Sequence, residues 1–329
     1  MKQRVVINTR ILLGLLVFCI FSFLSLTGVK VFEPWPQVTL LWDSGQPLLY
    51  FIDHFHFERY LVVYPGLLLE ELYPRNGFSI YISFFAALNA LLFRQVHKTF
   101  TGYLPGLLVY SVFLLVHFLM NGRGPIGWSG WLLCLNLHGQ FGDPDRTGPF
   151  LTVRNSSLLF FSILFSTVTS GIFIVVFIAN AILVARVIRT SIHTHLPNFT
   201  RLFVVMFAIF IIGYGTYLAI IYMLEALIKV SLYYGSYTGV IMHGIGILAQ
   251  KYDFELVLLL IAILAIILIF LWRYIKGKVS SILWPIFITS MVGGSFGFTT
   301  LTLTIPLFLI FFSVLLKDML RKFSSQRQS

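Results

Sequence analysis

The sequence predicts an all-α protein, a polytopic transmembrane bundle of about eight spans, with seven to ten compatible with the pattern. Three observations carry that expectation. Hydrophobic residues make up 58% of the 329-residue chain and charged residues only 11%, with a mean hydropathy of +0.91; a soluble domain carries about 25% charged residues. Several apolar stretches reach the roughly 18 residues that cross a hydrocarbon core about 30 Å thick. The segments between them alternate in charge. The runs are continuously apolar rather than alternating, which excludes a β-barrel.

The first run, Ile11–Gly28, lies behind Lys2, Arg4 and Arg10. It is longer than a signal-peptide core and no A-x-A-like site follows, so it reads as an uncleaved anchor. The later candidate spans are Gly77–Phe93, Tyr103–Met120, Ser157–Ala185, Leu202–Leu224, Phe254–Trp272, Ile282–Gly294 and Phe298–Leu316. The last two are separated only by the stretch around "MVGGSFGFTT" and are expected to form a tight hairpin or re-entrant turn, because basic residues flank both ends. The whole chain, 1–329, is expected to be one membrane domain.

Placing the N-terminus in the cytoplasm sorts the charges. Segments 1–10, 94–102, 186–201, 273–281 and 317–329 hold 15 of the 23 lysines and arginines and one acid, Asp318; the opposite side holds eight bases and 11 acids. This is the positive-inside pattern of a membrane protein with both termini cytoplasmic. The net charge of +11 therefore records orientation and contact with anionic membrane lipid, not nucleic-acid binding.

Three external loops are expected, at about 29–76, 121–156 and 225–253, and their composition is aromatic and semi-apolar rather than disordered. "VTLLWDSGQPLLYFIDHF" and "YLVVYPGLLLEELY" fit short interfacial helices. "GWSGWLLCLNLHGQF" fits either an interfacial helix or a re-entrant hairpin, which requires protein or a water-filled cavity around it. The third loop is glycine-rich around His243. The two cysteines, Cys19 and Cys134, predict no disulfide and no ligand cluster. "DHFHFE" at 53–58 lacks a second cluster, so no metal is expected, and no dinucleotide or P-loop fingerprint points to a cofactor.

The external ionisable residues carry the functional expectation. Arg59, Arg75, Arg123 and Arg154 present guanidinium groups, which stay charged and bind phosphate oxygens in a fork. Arg123 stands between glycines in "HFLMNGRGPIGWSGW", at a span end where it faces either lipid phosphate or a bound ligand. Arg154 precedes "NSSLLFF", whose Asn155 or Ser156 can cap a helix. The candidate general bases are His243, Glu70, Asp53 and Asp143. Against these stand structural roles: His243 as a hydrogen-bonded turn residue, Asp143 in the Asp-Pro bend "FGDPDRTGP", and Glu70 paired with Arg75.

The span end "NGR" at 121–123, the long loop after the first span, "STVTSGIF" at 166–173, "YYGSYTGVIMHGIG" at 233–246 and the basic C-terminal tail together resemble the Wzy-type O-antigen and exopolysaccharide polymerases of the EpsG-like group. About eight spans is fewer than such polymerases often have. The resemblance implies a bacterial inner-membrane glycosyltransferase that joins undecaprenyl-pyrophosphate-linked oligosaccharide repeat units at the periplasmic face. It also implies partnership with a flippase and a chain-length regulator. Arginines over the pyrophosphate leaving group would stabilise its developing charge, and no metal is then required. Two other classes compete: a transporter of lipid-linked oligosaccharide or small solutes, and a non-catalytic membrane protein of the immunity or phage type. Convergence of Arg59, Arg123 and Arg154 in one external cavity beside His243 or an acid would strengthen the polymerase expectation, and their scattering around the lipid-facing rim would end it.

Overall fold

A computed structural model describes residues 9–28, 34–54, 57–118, 122–141, 153–192, 213–221, 283–293 and 302–326, with isolated positions between them. Every element among these residues is helical. The predicted spans Leu202–Leu224 and Phe254–Trp272 and the loop 225–253 lie largely outside the described residues, as do His243 and Asp143.

The organising element is α4, Gly77–Thr101, 25 residues long, or about 37 Å at 1.5 Å per residue. By length and composition it is the one helix among the described residues able to cross a bilayer; Ile11–Leu26, Leu107–Phe118 and Ser170–Ala185 are shorter apolar helices. Helix α1, Thr9–Leu26, runs antiparallel to α4. Gly14 meets Leu91 near one end and the Asn76 side-chain amide donates to the Ser25 carbonyl at the other. The outward face of α1 carries Ile11, Leu12, Leu15, Leu16 and Phe23, all exposed, whereas Val17 and Phe21 face the core.

Between them lies a helical cap. Helix α2, Pro36–Asp43, starts at a proline in its first turn, where the missing N–H costs nothing. A 3-10 turn at Leu48–Phe51 leads to α3, Phe57–Leu72. Helix α3 lies antiparallel against the first half of α4, with Tyr81 Oη donating to the Val62 carbonyl at 2.5 Å. The α3–α4 turn is tight. A Cβ at Gly77 would stand 2.0 Å from the Leu69 carbonyl oxygen, so only glycine fits. Arg75 there adopts φ 77°, a region that L-residues rarely enter.

The chain then crosses back and forth. Helix α5, Leu107–Phe118, returns along α4, with Phe93 stacked on Phe113 at 4.1 Å. Helix α6, Arg123–Phe141, runs parallel to α4: Ser129 meets Asn89 and Gln95 meets Asn136. Helix α7, Val153–Ser166, runs back along α6, and α8, Ser170–Ile192, follows after a short turn. Helix α9, Leu283–Gly293, stacks Trp284 on Phe311 of α10, Thr304–Gln326, at 4.6 Å.

Two features differ from the sequence expectation. The stretch "GWSGWLLCLNLHGQF" is neither interfacial nor hairpinned. It belongs to α6, one continuous helix with Gly124–His138 buried throughout, at the centre of the bundle between α4, α7 and α8. Its glycines, Ser129, Asn136 and His138 lower its hydropathy below that of a simple span, yet they are what the central position uses. A Cβ at Gly130 would sit 2.7 Å from the Ser162 carbonyl oxygen, so glycine sets the close approach of α7. Its polar side chains reach across to neighbouring elements: Trp128 donates to Thr302 Oγ1, Trp131 to the Leu303 carbonyl, and His138 Nε2 lies 2.9 Å from the Ala179 carbonyl. Second, the predicted span Ser157–Ala185 is divided by a turn at Thr167–Thr169 into α7 and α8.

Candidate functional site

The site gathers at the α7–α8 turn, where "STVTSGIF" falls. Ser166 and Thr167 turn their hydroxyls back onto the carbonyls of Ile163 and Leu164 at 2.6 and 2.7 Å, a local bonding pattern that competes with continued helix. The carbonyls at the end of α7 lose their intrahelical partners there. Arg59, in the first turn of α3, supplies a donor: its Nε donates to the Thr167 carbonyl at 2.8 Å and its Nη2 to Ser170 Oγ at 2.6 Å. It is 4% exposed. A cation at a helix C-terminus also meets the negative end of the helix dipole.

Arg123 opens α6 beside the same turn, since Gly127, one helical turn further on, lies against Val168 and Ile172. Its guanidinium carbon stands 5.0 Å from the centre of the Trp35 ring, a cation–π distance, and Arg59 lies within electrostatic range of it. Trp35 is buried, and among the described residues its indole Nε1 has no hydrogen-bond partner. Two guanidinium groups thus lie within electrostatic range of each other, one of them over the Trp35 ring. Each raises the cost of the other's charge, and an anion between them relieves both.

Below the pair is a buried polar network that links α4, α5 and α6. Asn89 Nδ2 donates to the Pro125 carbonyl at 2.8 Å and lies 3.2 Å from His117 Nε2. Ser129 Oγ donates to Asn89 Oδ1 at 2.8 Å. His117 Nδ1 lies 3.0 Å from the Phe113 carbonyl, which requires the proton on Nδ1 and leaves Nε2 to accept from Asn89. These bonds fix the start of α6 and with it the position of Arg123. The level is about 18 Å along α4 from Gly77, twelve residues at 1.5 Å each.

A cavity of about 570 Å³ lies on the cap, lined by Trp42, Gln46, Tyr64, Leu68, Glu70 and Glu71 among others. Trp42 and Tyr64 meet edge to face at 5.9 Å. Aromatic walls with carboxylate and amide groups suit a sugar ring, whose C–H face packs on an aromatic and whose hydroxyls donate to carboxylates.

The remaining sequence candidates separate. Glu70 Oε1 accepts from the Arg75 backbone N–H at 2.6 Å and Oε2 from the Phe78 N–H at 2.8 Å, so both oxygens serve the α3–α4 turn. Its contact with Arg75 is thus to the backbone. Arg75 is exposed at that turn, and Asp53 is exposed beyond the 3-10 turn. Arg154 does not join the arginine pair. It is exposed at the second position of α7, and the 14-residue helix puts it about 20 Å from the Thr167 turn, because α6 carries the chain to the Thr101 end of α4 before α7 returns. Asp143 and His243 lie outside the described residues. Among the described residues, no group of three or more His, Cys, Asp and Glu side chains could hold a metal ion.

Sequence reasoning passed over Trp35, Asn89 and the α7–α8 turn. Asn89 was the available signal: an amide inside a long apolar run demands a buried partner. No protein family, curated protein or solved structure matches the chain.

Proposed function

We propose that this chain is an inner-membrane polysaccharide polymerase of Wzy type, with the Gly77 end of α4 toward the periplasm. The observation that carries the reading is that Arg59, bonded to the Thr167 carbonyl, lies within electrostatic range of Arg123, which stands over the Trp35 ring; Arg154 does not join them. In the reaction, an acceptor hydroxyl of one repeat unit attacks the anomeric carbon of another. The bond from that carbon to the pyrophosphate oxygen breaks, the hydroxyl proton passes to a base, and undecaprenyl pyrophosphate leaves. The arginine pair stabilises the charge that develops on the leaving oxygens. The Trp42–Tyr64 cavity holds saccharide further out, since Arg59 and Glu70 stand eleven residues apart on α3, about 16 Å.

The outward apolar faces of α1 and α5 support the membrane setting, for Leu12, Leu15, Leu107 and Leu115 are each more than half exposed and a soluble surface rarely carries such a band. Treating α6 and α7 as crossings moves 142–156 to the cytoplasmic side. That side then holds 17 of the 23 basic residues and three acids, so two bases and two acids move together and the charge imbalance is unchanged. With the spans expected at 202–224 and 254–272, and α9 and α10 counted as the expected C-terminal pair, the proposed total becomes about ten.

Deletion of the gene, followed by gel analysis of surface polysaccharide, tests the reading. Replacement of long chains by a single-repeat band is expected. An unaltered ladder would sink it.

A further inference from the structure

The opposite end of the bundle, where α4 hands over to α5 and α10 passes beside them, carries a second cluster that the proposed chemistry does not use. Lys317 Nζ stands 3.6 Å from the centre of the Tyr103 ring. Tyr103 Oη lies 3.2 Å from Ser313 Oγ, which in turn lies 2.6 Å from His97 Nε2. His97 Nδ1 lies 2.9 Å from the Tyr103 carbonyl. Tyr103 is thus held at both its backbone and its ring, and its ring holds the lysine. Beside them is a groove of about 560 Å³ whose walls include Tyr103, Leu104, Leu108, Leu316, Lys317 and Leu320.

We infer that this groove binds one anionic phospholipid, with the phosphate at Lys317 and an acyl chain along the leucines. Two properties commit it to that occupant. The first is charge. The sequence from Leu315 onward reads "LLKDMLRKFSSQRQS", with Lys317, Arg321, Lys322 and Arg327 against the single acid Asp318, and each basic residue near an anionic leaflet adds to lipid attraction. The second is the join of polar and apolar surface. Leu107, at the mouth, is 85% exposed, and Leu108 and Leu320 are more than half exposed, directly beside the fixed ammonium group. A phosphate alone would leave the leucine wall uncovered, and a neutral lipid would leave the lysine unmatched. A tyrosine and a lysine at one level are also what anchor a span at the headgroup boundary. The inference rests on the membrane setting but not on the polymerase reading, so a null polysaccharide phenotype leaves it standing.

The test uses the full chain purified in a neutral detergent. Its thermal unfolding is followed with added phosphatidylglycerol, phosphatidylcholine or inorganic phosphate. Phosphatidylglycerol is expected to raise the unfolding temperature, the other two to have little effect, and Lys317→Gln to weaken phosphatidylglycerol binding about fivefold. Equal shifts with phosphatidylcholine would overturn the inference, and so would a shift with phosphate alone or an undiminished response in the variant. Should Lys317→Gln fail to fold, Leu107→Trp takes its place. Leu107 faces outward, so a tryptophan there narrows the groove without entering the core. Phosphatidylglycerol retained by wild type and lost by Leu107→Trp in native mass spectrometry supports the inference; equal retention overturns it.

Discussion

Arg59 donates its Nε–H to the carbonyl of Thr167 at 2.8 Å, so a side chain from the cap closes the end of α7 and fixes the turn into α8. The same guanidinium reaches Ser170 through a second nitrogen and stands within electrostatic range of Arg123. A single residue thereby couples the cap to the bundle and sets the charge of the proposed site.

Arg59→Ala is therefore expected to destabilise the protein as well as to abolish long-chain polysaccharide. It leaves a buried helix-end carbonyl without its charged donor, a loss of about 2 kcal/mol. Thermal unfolding in detergent measures the first effect and the polysaccharide ladder the second. A loss of chain length with no change in unfolding temperature would mean that the Thr167 bond carries no stability.

Arg123→Lys separates charge from shape. Lysine keeps the cation but not the planar fork, and the guanidinium's stacking on Trp35 is weakened. If Arg123 grips a pyrophosphate, chain length falls sharply while unfolding temperature changes by little. If it contacts only bulk lipid phosphate, the ladder is that of wild type.

The α3–α4 turn makes an opposite prediction. Arg75 holds φ 77°, and glycine enters that region without steric cost. Arg75→Gly is expected to stabilise by about 0.5–1 kcal/mol, whereas Glu70→Ala, which strips both acceptors from the Arg75 and Phe78 N–H groups, costs about 1–2 kcal/mol. Chemical denaturation of the two variants under the same detergent checks the sign of each.

What was legible follows from how each element earns its place. Helices α1 and α4 are apolar along most of their length, and hydropathy finds them. Helix α6 is central because it is small and polar: Gly124, Gly127 and Gly130 admit neighbouring side chains and backbone, and Ser129, Asn136 and His138 bond across helix interfaces. A transfer scale reads those residues as loop. The α7–α8 break is hidden for a related reason, since "STVTS" is apolar enough to pass within a span although its hydroxyls end the helix. The guanidinium chemistry of Arg59 and Arg123 was visible in the residue types. Their meeting was not, because it depends on the cap folding over that break. The sequence puts Arg154 on the same face only if α6 is part of an external loop and α7 and α8 are one span.

That last point yields the sharpest topological test. With Cys19 and Cys134 replaced by serine and alanine, single cysteines are placed at two exposed positions, Asp53→Cys and Arg154→Cys. In intact spheroplasts, a membrane-impermeant maleimide is expected to label position 53 and spare position 154. Opening the cells should expose position 154. The reason is helical arithmetic: Asp53 belongs to the cap at the Gly77 side, whereas Arg154 begins a 14-residue helix that ends at the Arg59 turn, about 20 Å away along its axis. Labelling of both positions in intact spheroplasts would return 121–156 to the periplasmic side and remove the crossings proposed for α6 and α7.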